Sequence, residues 1–123
     1  MFLFLKAYRK LIVFELDVRR GNFEILYSRV RNCPTRAITA PTGAIERVCS
    51  AIDLASIWYW REIPCLQRSA ATTCLLRQYG IAAQMVIGAQ QVPFKAHAWV
   101  EVDGRVVNDK PYTSEIYCAL DRC

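Results

Sequence analysis

Three residues in this chain have the types and the order that thiol chemistry requires: Cys65, His97 and Asp109. Cys65 follows Pro64 at what reads as the start of a helix, where proline is well tolerated because its missing N–H has no partner to lose. The first turn of a helix carries unpaired N–H groups and a partial positive charge, and both favour a thiolate, the form of cysteine that attacks carbonyls. A base must stand within hydrogen-bond reach, and His97 is the single histidine of the chain. A third group must orient the imidazole, as an Asp does in catalytic triads, and Asp109 follows on the next strand. None of these residues is diagnostic alone. A free cysteine is mostly a small buried residue, a lone histidine more often packs than catalyses, and an aspartate after an apolar strand usually turns or caps. Their joint order carries the argument.

The surrounding pattern supplies the elements that must hold them. Phe4, Leu5, Tyr8, Leu11, Ile12 and Leu16 form one broad apolar face of a helix over 2–20. Gly21 ends it, and Asn22 can cap a second helix over 23–31, with Phe23, Leu26, Tyr27 and Val30 on one side. Pro34 forces Cys33 out of the helical region, and 33–43, with two prolines and a glycine, reads as a loop. Thr42 can cap a third helix that runs to about Trp60, with Ile45, Val48, Cys49, Ile52 and Ala55 inward. Trp58, Tyr59 and Trp60 are consecutive and cannot all face one core, so at least one ring lies at the surface or along a cleft. Trp58, Trp60 and Trp99 are the candidate substrate-binding aromatics. A helix over 65–79 ends at Gly80, followed by a strand over 83–88, a hairpin of 96–101 and 105–109, and a weak segment over 114–121. Helices first and an antiparallel sheet after them make an α+β domain, 1–123, with a helical part over 1–60 and a catalytic core over 61–123.

The hairpin has two registers open to it. A two-residue Asp103-Gly104 turn sends Asp109 to the face away from His97. A three-residue loop, Val102-Asp103-Gly104 with a left-handed Gly104 bulge, sets His97 opposite Asp109 and Glu101 opposite Arg105. The triad demands the second, and the expected structure therefore has that loop, an Asp109–His97 contact, and the 65–79 helix packed across the same face of the sheet.

Composition narrows the field. Hydrophobic residues make up 54% and charged residues 22%, enough apolar material for a core and too much for disorder. The net charge of +5 suits an acidic peptide or protein partner. The basic residues form no run, which points to a solvated face and not to a nucleic-acid site. Cys33, Cys49 and Cys74, in helical context, read as small buried residues; with no CxxC pair and no signal-type start, the expectation is unpaired cysteines in a reducing cytoplasm. No apolar run approaches the roughly 20 residues needed to span a bilayer, so no membrane partner is expected. One histidine makes a poor metal set, and neither GxxxxGK[ST] nor GxGxxG occurs, so no metal and no nucleotide cofactor are expected.

Longer runs carry a family resemblance. Pro64-Cys65-Leu66-Gln67-Arg68-Ser69, then Leu75-Leu76-Arg77-Gln78-Tyr79-Gly80-Ile81, then Phe94-Lys95-Ala96-His97-Ala98-Trp99-Val100-Glu101, then Val107-Asn108-Asp109 resemble the lasso-peptide maturation proteases, the transglutaminase-like B proteins. The resemblance covers about 60–120, and its F-x-A-H-A-W-V-E core is specific. It implies a papain-like or transglutaminase-like cysteine peptidase fold with a Cys65–His97–Asp109 triad and the Cys65 backbone N–H as an oxyanion donor. It implies removal of a leader peptide from a ribosomally made precursor, with a macrolactam cyclase as a further partner. Many members carry an N-terminal leader-recognition domain; residues 1–60 here read as helices, which matches a split form served by a separate recognition protein. Some relatives depend on ATP. The alternatives are acyl transfer to an amine by the same triad, and a peptide-binding scaffold without catalysis.

Overall fold

The computed structural model of the protein describes residues 2–91, 93–110 and 112–123. The helical elements are α1 (Phe2–Arg20), α2 (Phe23–Arg31), α3 (Ala44–Ile57) and α4 (Cys65–Gln78); β1 (Ala83–Gln91), β2 (Phe94–Val102), β3 (Arg105–Val106), α5 (Thr113–Ile116) and β4 (Cys118–Arg122) follow. The third helix is shorter than its periodicity suggests. Gly43, not Thr42, stands at its N-cap with φ of 74°, and it stops at Ile57. The aromatic trio then divides. Trp58 and Trp60 are 70% and 62% exposed, while Tyr59 is buried and donates its hydroxyl to Glu15 at 2.7 Å.

The fold is built around α4. Gln67 and every residue from Ser69 to Arg77 are buried. Its middle is a run of small side chains, Ser69 to Thr73, which lets α1, α3 and the sheet approach its backbone closely; Thr72 satisfies its hydroxyl on Arg68 O at 2.7 Å. Leu11 and Phe14 of α1, Val48 and Ile52 of α3, Leu75 and Leu76 of α4, and Met85 and Val100 of the sheet form one core cluster. The sheet is antiparallel in the order β3-β2-β1-β4. Strand alternation gives β2 two faces. Val100 turns to the helical core, while Trp99 lies on the other face above Gly88, where an added Cβ would run into the indole.

Two expectations about the hairpin are overturned. Val102 pairs with Arg105 and Glu101 with Val106, so the connection is a two-residue Asp103-Gly104 turn, not a three-residue bulge. Both turn residues have positive φ, 52° and 77°, the pattern of a type I′ turn whose twist matches that of the strands. Glu101 consequently does not meet Arg105. Its carboxylate is buried, accepts from Trp99 Nε1 at 2.8 Å and pairs with Arg122 at 2.7 Å.

The cysteine expectation is also corrected. Cys33 and Cys74 are joined by a disulfide across 41 residues, with Cα atoms 5.6 Å apart. The reason lies in the tertiary fold: the loop after α2 returns against α4. Such links are rare in reducing compartments, so a cytoplasmic location no longer follows from the cysteines. Among the described residues, no helix is long and apolar enough to cross a membrane.

Arg77 fastens the same corner. Its guanidinium is buried and donates to Ala83 O at 3.0 Å, Cys33 O at 3.2 Å, Cys123 O at 2.9 Å and also to Val30 O. Burial holds its pKa below the ordinary value, partly offset by Cys123. Arg77→Met keeps the length of the chain but removes a donor from four carbonyls, of which Val30 O keeps Cys33 N and Cys123 O keeps Met85 N. We expect a loss of about 2–3 kcal/mol, read from urea denaturation, because a buried acceptor left without its donor costs on the order of 1–3 kcal/mol.

Candidate active site

Cys65 is the first residue of α4. Pro64 before it is extended, with ψ of 154°, and no side chain caps the helix, so nothing from a cap competes for the N–H groups of the first turn. The thiol is half-buried and free. It lies in the wall of a cavity of about 210 Å³ that His97 also lines, together with Phe23, Tyr27, Leu66, Ile87, Ala96 and Ala98. Among the described residues no hydrogen bond joins the thiol to the imidazole; such bonds are often loose until substrate binds.

His97 and Asp109 do meet. His97 Nε2 lies 2.5 Å from Asp109 Oδ2, although the hairpin has the register that a regular ladder would not allow for this contact. The reason is that β3 lasts only two residues. Val107 N still donates to Val100 O at 3.0 Å, but Val100 N donates to the side-chain Oδ1 of Asn108 at 2.8 Å. Asn108 thereby replaces a backbone partner, and its Nδ2 reaches Ser69 Oγ of α4 at 3.3 Å. Released from the pleat, the chain turns Asp109 toward His97, and Asp109 Oδ1 accepts from Lys110 N at 2.8 Å. With Nε2 engaged by the carboxylate, Nδ1 is the nitrogen left for a thiol. The packing of α4 differs from expectation: the helix lies against the Val100 face, and His97 shares the other face with Trp99.

Aromatic rings hold the imidazole. Trp99 is stacked at 6.0 Å between centroids, with planes 28° apart, and Tyr117 is tilted at 5.1 Å. Trp99 has no exposed surface, and what it touches at the site is the His97 ring. Trp58 and Trp60 are exposed but lie outside the cavity, Trp60 beneath the guanidinium groups of Arg19 and Arg61. The sequence reading missed Asn108, Tyr117 and the two α2 aromatics. Asn108 beside Asp109 was the one legible hint, since Asn readily supplies backbone-like hydrogen bonds.

Burial opposes ionisation of Asp109, but the hydrogen bond from His97, the Lys110 N–H and the charges of His97 and Arg68 outweigh it, and its pKa lies below the ordinary 3.8. A carboxyl whose folded pKa is depressed adds stability that is complete above the unfolded value and is lost as pH falls through the folded one. Urea midpoints of wild type and Asp109→Asn, measured from pH 7 to pH 2, should therefore converge below about pH 4. A gap that stays constant to pH 2 would contradict the contact.

Residues 10–120 match the profile of the Transglutaminase-like superfamily. Over 47 residues the chain is 47% identical to the Microcin J25-processing protein McjB of Escherichia coli, a stretch that is 38% of this chain and 23% of that protein. This chain thus matches less than a quarter of its relative's length. No solved structure matches the chain. The profile takes in α4, the sheet as far as Leu120 and all three of Cys65, His97 and Asp109, and on that extent the chain belongs to the Transglutaminase-like superfamily.

Proposed function

We propose that this chain is a cysteine peptidase of lasso-peptide maturation, arranged as in papain-like enzymes, that cuts the leader from the core of a ribosomally made precursor. The observation that carries the reading is the 2.5 Å His97–Asp109 contact beside a cavity that Cys65 and His97 both line. Similarity to a protein named for processing microcin J25 supports a precursor peptide as substrate.

In this mechanism Cys65 Sγ attacks the carbonyl that joins leader to core. The C–S bond forms, and the carbonyl oxygen takes the negative charge. The Cys65 backbone N–H, free at the first helical position, donates to that oxygen. His97 Nδ1 carries the thiol's proton and delivers it to the leaving amine as the C–N bond breaks. Water, deprotonated by His97, then releases the leader acid from the thioester. Asp109 holds the ring by Nε2–H and stabilises the imidazolium. Leader recognition and ring closure are assigned to partners, a recognition protein and a macrolactam cyclase, on the family resemblance alone.

The test is mass spectrometry of the chain incubated with precursor, with and without the recognition partner. Leader acid and free core amine should appear, faster with the partner. Family membership favours one second reading, acyl transfer to an amine by the same residues. It is recognised by a leader product heavier than the acid by the amine less one water, and such a leader amide in place of the acid would overturn hydrolysis.

A further inference from the structure

We infer that the cavity at Cys65 is a subsite for one apolar side chain of the substrate, branched aliphatic or single-ring, from a residue flanking the bond that is cut. That the occupant belongs to a cleaved peptide rests on the peptidase reading; that the site binds apolar groups at the thiol does not.

Whatever carbonyl Cys65 attacks is covalently joined to groups that must fill or cover the space in front of the thiol, and that space is this cavity. Besides Cys65 and His97 its wall consists of Phe23, Tyr27, Leu66, Ile87, Ala96 and Ala98, presenting almost entirely carbon. A charged or amide side chain would leave its water there and find no partner. An apolar one gains in proportion to the area it buries. An apolar cavity of roughly 150 Å³ holds benzene, so about 210 Å³ takes a phenyl or a leucine side chain. Two alanines create the depth. Ala96 and Ala98 alternate on the face of β2 that further along carries Val100, and a larger residue at 96 would occupy the space. Phe23, in the first turn of α2, is 47% exposed and forms the rim, where an occupant would cover it.

The experiment labels the intact protein with iodoacetamide, N-isobutyl-iodoacetamide and N-benzyl-iodoacetamide. In each case a cysteine thiolate displaces iodide to form a thioether. Cys118, exposed on β4, is the internal reference, and each site is quantified by peptide mass. The Cys65-to-Cys118 rate ratio should rise on the order of tenfold from iodoacetamide to the benzyl reagent. Ala96→Leu should erase that rise, and Phe23→Ala, at an exposed position that the fold does not depend on, should lower it. A flat ratio in the wild type, or a rise that neither variant alters, overturns the subsite. A second arm varies each residue flanking the cut in the precursor among Gly, Leu, Phe and Lys. One position should favour Leu or Phe on the order of tenfold in kcat/KM, and Ala96→Leu should remove the preference. Apolar labelling preference without cleavage of any precursor upholds the subsite and overturns the peptidase. Cleavage with no apolar preference at any flanking position overturns the subsite.

Discussion

On the proposed peptidase reading, Cys65→Ala should abolish leader cleavage, by at least about 10⁴-fold, while Cys118→Ala should leave it within about twofold; removing a covalent nucleophile costs on the order of 10⁶ where it has been measured. The measurement is product formation by mass with both variants shown to be folded. The control is chosen by the structure. From the sequence, Cys74→Ala looks like the natural comparison, being deeper in the same helix. Its sulfur is bonded to Cys33, and opening a 41-residue loop removes about 4 kcal/mol of stability on a chain-entropy account, so that variant confounds folding with chemistry. The other thiols are poor substitutes for Cys65. Burial, with Asp53 and Glu46 nearby, pushes Cys49 up to about 11. Burial likewise raises Cys123, with Arg31 and Arg77 offsetting part of the effect and Asp121 adding to it. Neither supplies much thiolate at neutral pH. Equal loss in Cys65→Ala and Cys118→Ala would remove Cys65 from its role.

The second large effect belongs to Asp109. Asp109→Asn should lower kcat on the order of 10²–10⁴-fold with KM little changed, because an amide can hold the ring but cannot stabilise imidazolium as a carboxylate does. Because the chain has one histidine, ¹⁵N-histidine labelling yields a single set of ring signals. A ring N–H bonded to a carboxylate at 2.5 Å should be protected from exchange in the wild type and lose that protection in the variant. The same spectrum reads Asn108. If Asn108 turns Asp109 by replacing a ladder partner of Val100, Asn108→Ala should disturb the ring N–H although residue 108 touches neither His97 nor substrate. An unchanged spectrum and rate in Asp109→Asn would reduce the site to Cys65 and His97.

Much of the helical architecture is local and was legible for that reason. The apolar period gives α1 and α2 their limits, proline marks the start of α4 at Cys65, and the order of helices then strands makes the class α+β. The types and order of Cys65, His97 and Asp109 are likewise properties of the chain, independent of how it folds. What the sequence could not choose was anything set by two distant segments. Asp-Gly is a strong signal for a two-residue turn, yet a regular ladder after that turn would carry Asp109 away from His97. Only the tertiary structure resolves the conflict, by ending β3 at Val106 and letting Asn108 bond Val100 and Ser69, a residue of α4 distant in sequence.

The cysteines follow the same division. Spacing along the chain says nothing about which sulfurs meet, and Cys33 reaches Cys74 only because the loop after α2 folds back on α4, where Arg77 ties four backbone carbonyls together. Trp99 repeats it on the scale of one side chain. It was a candidate for substrate contact, whereas the pleat and Gly88 leave it with no exposed surface, stacked on the imidazole. The sequence by itself determined which groups are available for chemistry and which helices and strands carry them, because propensity, periodicity and turn chemistry act over a few residues. Register breaks, cross-links and cavity walls were decided by the tertiary structure, because each depends on packing between segments tens of residues apart.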